Sequence, residues 1–248
     1  TFITMPGGER QYGTFVYGWK HTGSTAILIH GWRDCNITML PIAHIYEQMG
    51  YNVLLPDLHG HGRSDGDNIG MGWKDRFDVM RWMAIADTLF RDSTGTTRQV
   101  LHGVSMGGAT TMYVSGERTP AYVKCFVEDC GYSSVWDEFH YELGEMFGLP
   151  DFPFMYTTSA LCKLRYGWTF GEASAISKVK KCHKPMLFIH GDNDDFVPSW
   201  MVNPLYAAKP QPKELFIGKG STHAHSYRDH KAEYTKRVEK FVSKYIKN

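Results

Sequence analysis

Short apolar runs alternate with longer amphipathic segments along most of the chain. The apolar runs predict buried strands, and segments with apolar positions three or four residues apart predict helices. Continuous apolar strands separated by amphipathic helices are typical of a parallel sheet with helices on both faces. The sequence therefore predicts an α/β fold with a mostly parallel central sheet. The runs that predict its strands are TAILIHG, YNVLLPD, RQVLHGVS, VKCFVEDCG, KPMLFIHGD and KELFIG.

The predicted helices lie between these runs. The clearest extends from Trp73 to Asp92, where the apolar positions follow a period of about 3.6 residues. Further helices are predicted for the stretch MLPIAHIYEQMG, from Gly108 to Glu117 and from Ala232 to Lys247. The stretch QYGTFVYGW near the beginning of the chain predicts an edge strand of the same sheet.

The segment from Ser133 to Phe170 breaks this alternation. It is rich in aromatic residues, contains prolines and has no evident strand pattern. We interpret it as a helical cap over the carboxyl edge of the sheet; the alternative is an ordinary crossover whose aromatic side chains pack on the core. The predicted organisation is a single domain over residues 1–248, with residues 133–170 as a cap insertion within it.

The charge balance narrows the range of partners. The chain has 27 basic and 26 acidic residues and a formal net charge of +1, so nothing in its overall charge favours nucleic acid or an anionic membrane. No apolar run approaches the roughly 20 residues that a membrane-spanning helix needs. We therefore expect a small-molecule substrate, no nucleic-acid partner and no membrane-spanning segment.

The cysteines do not fix the cellular compartment. There are five, so at least one is unpaired within the chain, and no CxxC pair occurs. Cys125 and Cys130 flank an apolar run and are expected to be buried thiols. A cytoplasmic location is slightly favoured. A cell-surface or secreted location stays open because the chain begins with Thr1, as it would after removal of an upstream segment.

The pentapeptide Gly103-Val104-Ser105-Met106-Gly107 has the G-x-S-x-G form of a nucleophile elbow. It follows a predicted strand and precedes a predicted helix, which is the context that this turn requires. Side chains two residues before and after the serine would collide in such a turn, so glycine is needed at both places. Ser105 is therefore the candidate nucleophile, and a buried hydroxyl in a tight turn is the alternative.

A serine hydroxyl is a poor nucleophile until a neighbouring base takes its proton. The stretch LFIHGDNDDFVP places an acidic loop after a later strand, and GKGSTHAHSY places histidines after the next one. A serine, an acid and a histidine in this order can supply a nucleophile, an orienting carboxylate and a general base. From the residues alone, the acid is one of Asp192, Asp194 and Asp195, and the base is His223 or His225.

An oxyanion hole needs two N–H donors near the nucleophile. Met106, directly after Ser105, is expected to supply one backbone N–H group. The second is expected from Trp32, which follows His30-Gly31 at the end of a predicted strand.

With these pieces in order, the chain resembles the α/β-hydrolase superfamily over nearly its whole length. The resemblance includes His30-Gly31 and the loop DLHGHGRSDG, which is similar to the superfamily pattern D-x-x-G-H-G-x-S. It also includes His190-Gly191 followed by the pattern D-x-x-V-P. The stretches GMGWKDRFDVMRWM and HAHSY resemble a bacterial branch of esterase-like hydrolases.

The resemblance selects among the open alternatives. The pattern D-x-x-V-P implies Asp194 as the acid, and the pattern H-A-x-S-Y implies His223 as the base. The remaining histidines near strand ends are expected to hydrogen-bond backbone groups in structural loops: His30, His59, His61 and His190. The pairs His-x-His do not predict a metal site because no further ligands lie at metal-binding spacing. We expect neither a metal nor a cofactor.

The predicted function is that of a serine carboxylesterase that cleaves short to medium acyl or aromatic esters through an acyl-enzyme. A thioesterase and a peptidase of the same fold are the alternatives, and a non-catalytic binding module is a third. A peptidase usually needs an anchor for the peptide terminus, and no separate domain precedes the hydrolase in this sequence. The aromatic residues of the cap predict an apolar pocket wall. The predicted wall residues are Trp136, Phe139, Phe147, Phe154, Tyr156 and Val197.

Overall fold

The computed structural model describes residues 1–246, and an eight-stranded sheet forms its centre. The sheet order is β1-β2-β4-β3-β5-β6-β7-β8. The first two pairings, β1 with β2 and β2 with β4, are antiparallel, and every later pairing is parallel. The strands are β1 (Phe2–Thr4), β2 (Arg10–Val16), β3 (Ser24–Ile29), β4 (Asn52–Pro56), β5 (Arg98–Val104), β6 (Val123–Asp129), β7 (Met186–Gly191) and β8 (Lys213–Gly218).

The helices connect these strands. They are α1 (Leu40–Gln48), α2 (Asp75–Phe90), α3 (Met106–Ser115), α4 (Val135–Phe147), α5 (Asp151–Tyr166), α6 (Ala175–Val179), α7 (Val202–Ala208), α8 (Ser226–Asp229) and α9 (Lys231–Tyr245). Short 3₁₀ turns at Asn36–Met39 and Ser199–Met201 precede α1 and α7. None of the helices within residues 1–246 combines the length and the apolar character needed to cross a membrane.

Two apolar layers cover the sheet because neighbouring strand residues point to opposite faces. On β3, Ile27 and Ile29 belong to one core cluster, while Ala26 and Leu28 belong to the other. Helices α1 and α9 pack on the second layer, and α2, α3, α6 and α7 pack on the first. Each strand buried between two layers must be apolar on both faces, which explains the continuous apolar runs in the sequence. The predicted fold class is confirmed.

The structure corrects one strand and one helix boundary. The stretch QYGTFVYGW forms β2, which lies between β1 and β4, so the edge strand is β1 and β2 is internal. The helix predicted from Gly108 begins at Met106, directly after Ser105. The predicted final helix runs over Lys231–Tyr245, and Lys247 lies outside the described residues.

Helices α4 and α5 occupy most of the segment from Ser133 to Phe170, between β6 and α6. The hydroxyl of Ser134 caps the beginning of α4 by accepting a hydrogen bond from the N–H group of Asp137. Gly148 ends that helix in the left-handed conformation, with φ 62°. The inner sides of both helices pack on the first core layer through Phe139 and Met155. The division of the chain into one domain with a cap at residues 133–170 stays a prediction.

Candidate active site

The side chains predicted for the site lie after the carboxyl ends of parallel strands of the sheet. Ser105 directly follows β5, Asp194 follows β7, and His223 follows β8. Trp32 follows β3, which pairs with β5. In open α/β sheets the crevice beyond these strand ends is the usual ligand site. The topology therefore brings together residues that are far apart in the sequence.

Ser105 occupies a strained turn between β5 and α3. Its backbone has φ 59° and ψ −122°, outside the regions that residues with a side chain prefer. The N–H group of Ser105 donates a hydrogen bond to the carbonyl of Asp129 on the neighbouring strand, at 2.8 Å. This geometry places the serine at the amino end of α3, where unpaired N–H groups and the helix dipole favour negative charge.

The glycines on either side of Ser105 are required by close backbone packing. A Cβ atom at Gly103 would overlap the carbonyl group of Gly107. A Cβ atom at Gly107 would in turn overlap the carbonyl groups of Ile29 and His30 on the adjacent strand. The turn therefore places its backbone directly against β3, next to the loop that carries Trp32.

We expect Gly107→Ala to lower the free energy of unfolding by about 3 kcal/mol or more, because backbone carbonyls cannot move aside as a flexible side chain can. Urea unfolding followed by tryptophan fluorescence measures the change. The matched control is Gly144→Ala in α4, where an added Cβ atom would meet nothing within 4 Å. That control should gain about 0.5–1 kcal/mol from helix propensity, and equal losses in both variants would contradict this account of the turn.

A continuous hydrogen-bonded chain links Ser105, His223 and Asp194. The Nε2 atom of His223 lies 2.8 Å from Oγ of Ser105, and its Nδ1 atom lies 2.8 Å from Oδ2 of Asp194. Burial acts to raise the pKa of Asp194, but hydrogen bonds from His190 and His223 hold that pKa at about 2. The ionised carboxylate only accepts hydrogen bonds, so Nδ1 carries the proton and Nε2 is free to accept from the serine hydroxyl.

The loop after β7 fixes the orientation of the Asp194 carboxylate. Its Oδ1 atom accepts hydrogen bonds from the N–H groups of Phe196, at 3.1 Å, and Val197, at 2.9 Å. The Nε2 atom of His190 lies 2.9 Å from the carbonyl oxygen of Val197 and 3.4 Å from Oδ2 of Asp194. With both oxygens held, the carboxylate has one orientation toward His223.

The competing acids and the competing histidine lie outside this chain. Asp192 accepts a hydrogen bond from the N–H group of Gly220, and Asp195 is exposed. His225 pairs through Nδ1 with the hydroxyl of Thr222 at 2.8 Å. The structure therefore brings Asp194 and His223, and not these three neighbours, to Ser105.

Most of the other histidines hold loops together, as the sequence predicts. His30 contacts the carbonyl of Gly31 and accepts from the N–H group of Leu58, and His61 contacts the carbonyl of His59. His190 contacts the carbonyl of Val197. The exception is His59, whose Nδ1 atom pairs with Glu9 at 3.0 Å.

A thiol lies beside the acid and the histidine. Ligand atoms of Cys130, Asp194 and His223 all lie within 4.8 Å of one another. Burial raises the pKa of the Cys130 thiol well above its usual value, with Asp129 adding to the effect. Both ring nitrogens of His223 already hydrogen-bond, to Asp194 and to Ser105, and these contacts account for the cluster.

Two cavities meet at Ser105. The larger, about 570 Å³, lies on the His223 side, and its polar lining residues include Asp34, Thr38, Tyr227 and Arg228. The smaller, about 260 Å³, lies beside α4, in the segment predicted to be a cap, and is called the cap-side cavity. Its lining is mainly apolar, with Met71, Met106, Tyr132, Phe139, Met146 and Phe196. Trp32 and Phe196 line both, so Ser105 is accessible from two chemically different spaces.

The structure places the six predicted pocket residues in different surroundings. Phe139 lines the cap-side cavity that reaches Ser105. Phe147 and Phe154 line a separate cavity between α4 and α5, and both are exposed. The ring of Trp136 packs on Tyr156, with centroids 5.2 Å apart. Val197 is fully buried and acts through its backbone N–H group.

Sequence reasoning missed several residues that line the two cavities. Phe196 lies directly before Val197 in the acid loop, and its ring centroid is 5.0 Å from that of His223. Glu138 and Glu142 also line the cap-side cavity. Their signal in the sequence is the pairing of like charges four residues apart on one helix, which is unfavourable on a solvated face.

The parallel sheet, the elbow after β5 and the Ser105–His223–Asp194 arrangement define the α/β-hydrolase class. A family model agrees with this assignment: residues 38–248 match the model of the prolyl oligopeptidase family. The chain belongs to that family and is a hydrolase of this fold.

The chain is also similar to individual proteins, and the solved structures among them share its fold. The chain is 29% identical to the uncharacterized protein YqkD of Bacillus subtilis, over 93% of this chain and 76% of the relative. Among solved structures, the Pyrococcus furiosus esterase Pf2001 superposes with a TM-score of 0.79 at 21% identity, covering 99% of this chain and 91% of that one. Est1E from Butyrivibrio proteoclasticus, solved with bound ferulic acid, superposes with a TM-score of 0.77 at 19% identity over the whole of both chains.

Proposed function

We propose that the protein is a serine carboxylesterase that acts through a covalent acyl-enzyme. The observation that carries this proposal is the pair of 2.8 Å hydrogen bonds that join Ser105, His223 and Asp194. A nucleophile, a base and an orienting carboxylate are linked in the order that acyl transfer requires. No cofactor enters the reaction.

In the first half of the reaction, Nε2 of His223 takes the proton from Ser105 as Oγ attacks the carbonyl carbon of the substrate. Asp194, ionised with its pKa held at about 2, stabilises the imidazolium that forms. The backbone N–H groups of Trp32 and Met106 are the proposed donors to the oxyanion of the tetrahedral intermediate. His223 then protonates the departing alcohol and, in the second half, activates water to release the acid.

The two cavities suit the two halves of an ester. The leaving alcohol must receive its proton from His223, so it belongs in the 570 Å³ cavity that His223 lines. The acyl group then occupies the 260 Å³ apolar cavity on the cap side. That volume is smaller than the roughly 300–1,000 Å³ of pockets for drug-sized ligands, which favours one short to medium or aromatic acyl group. Residues 133–170 act as the cap that forms one wall.

A substrate panel tests this proposal. We expect the highest kcat/KM for esters with short to medium or aryl acyl groups, compared at a fixed leaving group, with lower values for an acyl thioester and for an aminoacyl amide. Longer acyl chains should lose activity because they exceed the cap-side cavity. The panel is run with Ser105→Ala as the blank, and a higher kcat/KM for the amide than for every ester would overturn the ester assignment.

The family match favours a peptidase as the second candidate, since the family is named for an oligopeptidase. A peptidase would use the same serine and histidine, and it would place an amine in the His223-side cavity as leaving group. The aminoacyl amide in the panel separates the two functions.

A further inference from the structure

Glu138 is a buried carboxylic acid in the wall of the cap-side cavity. The residue is 4% exposed, and its Oε2 atom is buried without a hydrogen-bond partner. Buried polar atoms are nearly always paired, because leaving one unpaired costs much of its hydration energy. Because Glu138 also lines the cavity that opens on the nucleophile, its carboxyl group is placed to pair with a group on the ligand.

The surroundings of Glu138 keep it uncharged. Burial raises the pKa of this carboxyl to about 9, and the negative charges of Glu142 and Asp194 add to the shift. Among the described residues that line the cavity, no lysine or arginine offsets these charges. At neutral pH the group is therefore a neutral acid with one O–H donor and a carbonyl-like acceptor.

The other residues that line the cap-side cavity limit the kind of ligand group that can contact Glu138. Trp32, Tyr132, Phe139 and Phe196 contribute aromatic rings, and methionines fill much of the remainder. Such a wall accommodates a flat ring, and it offers few other polar atoms to a substituent on that ring. In an apolar cavity a neutral carboxylic acid pairs best with a hydroxyl group, which can both donate a hydrogen bond to it and accept one from it. An ammonium group would require the buried acid to ionise.

We propose that Glu138 is a specificity-determining residue that hydrogen-bonds a hydroxyl group on the acyl part of the substrate, so that the cavity selects hydroxyaryl acyl groups. The inference rests on the proposed function, which places the acyl group on the cap side. Sites built to bind a hydroxyl discriminate against analogues that lack it, because the protein group is then left unpaired.

The test compares two methyl esters, of 3-(4-hydroxyphenyl)propanoic acid and of 3-phenylpropanoic acid. In the wild type, kcat/KM for the hydroxylated ester should exceed that for the plain ester by about tenfold or more. Glu138→Gln keeps a neutral donor and acceptor and should retain most of this ratio. Glu138→Leu should reduce the ratio to about one, because it removes both.

The control is Glu145→Gln, an exposed position on the same helix, which should leave the ratio unchanged. An unchanged ratio in Glu138→Leu would overturn the inference. So would a wild-type preference for the 4-aminomethyl analogue that Glu138→Gln abolishes, since that result would identify a cation site.

A binding measurement separates this inference from the proposed esterase reaction. Calorimetry with Ser105→Ala, which cannot turn over, should give tighter binding of the hydroxylated ester by about tenfold, and this preference should be lost when Glu138→Leu is added. If the wild type cleaved no ester but this preference persisted, the cavity assignment would stand and the reaction would be wrong. If the wild type cleaved esters normally but Ser105→Ala showed no binding preference for the hydroxylated ester, the esterase reaction would stand and the role of Glu138 would be wrong.

If Glu138 is uncharged in the folded protein, the free energy of unfolding should depend on pH in a way that a Glu138 variant reveals. The carboxyl has a pKa near 4.5 in the unfolded chain and about 9 in the folded one, so its contribution to stability is full below pH 4.5 and is lost as the pH rises toward 9. Glutamine does not titrate. The thermal midpoint of Glu138→Gln should therefore rise relative to the wild type between these pH values, and a constant difference would contradict the neutral acid.

Discussion

Ser105→Ala should lower kcat/KM for an ester substrate by about 10⁴-fold or more, leaving only the residual rate that oxyanion donors and substrate binding can supply. The reason is that the Ser105 hydroxyl hydrogen-bonds Nε2 of His223 at 2.8 Å, and alanine has no hydroxyl to attack the substrate. The alanine variant should remain folded, since the turn depends on the neighbouring glycines and on the backbone hydrogen bond from residue 105.

Steady-state hydrolysis of p-nitrophenyl acetate measures this loss, with circular dichroism as the check on folding. Ser243→Ala is the matched control, because that serine is exposed on α9, away from the site. It should keep full activity. Wild-type turnover by a folded Ser105→Ala protein would reject the acyl-enzyme mechanism.

Asp194→Asn should lower kcat by about 10⁴-fold while leaving the fold intact. The amide oxygen of asparagine can still accept from the N–H groups of Phe196 and Val197, so the loop after β7 keeps its shape. The amide NH₂ group would then face Nδ1 of His223 as a donor. This forces the proton onto Nε2, where the histidine can no longer act as base toward Ser105.

Two neighbouring aspartates provide controls for this variant. Asp192→Asn and Asp195→Asn remove a carboxylate from the same loop without touching His223, so each should change kcat by less than about tenfold. The measurement is kcat at saturating ester for all three variants. A loss in Asp192→Asn or Asp195→Asn that matched the loss in Asp194→Asn would show that the acid had been assigned to the wrong residue.

The elbow illustrates what the sequence can specify. A serine between two glycines, after an apolar run, predicts both the turn and its chemistry, because only glycine fits where Gly107 meets the carbonyl of Ile29. The parallel strands are equally evident, since burial on both faces requires apolar residues throughout. The order of the sheet is less evident: β1 is only three residues long, so the sequence offers no reason to expect an edge strand outside β2.

The pocket was the least predictable part because side-chain direction on a helix depends on how that helix docks. The sequence predicts that aromatic residues of the segment 133–170 face the site, yet Phe147 and Tyr156 are 66% and 57% exposed. The same helix α4 directs Phe139 and Glu138 inward. Composition alone could not distinguish its two sides, and a buried glutamate contradicts the rule that charged residues face water.

The choice between Asp194 and its neighbours shows a similar limit. Three aspartates lie within four positions of the acidic loop, and the turn after β7 determines which carboxylate reaches His223. Resemblance to the superfamily pattern D-x-x-V-P selected Asp194, and the backbone hydrogen bond from Val197 gives that pattern a physical reason.

The most direct test of the central claim is covalent labelling with a fluorophosphonate, a reagent that captures an activated serine. Peptide mass spectrometry of the labelled protein should locate one adduct on Ser105, formed rapidly in the wild type and lost in His223→Ala, which lacks the base. Absence of labelling in the folded wild type, or an adduct on another residue while Ser105 stays unmodified, would contradict the account.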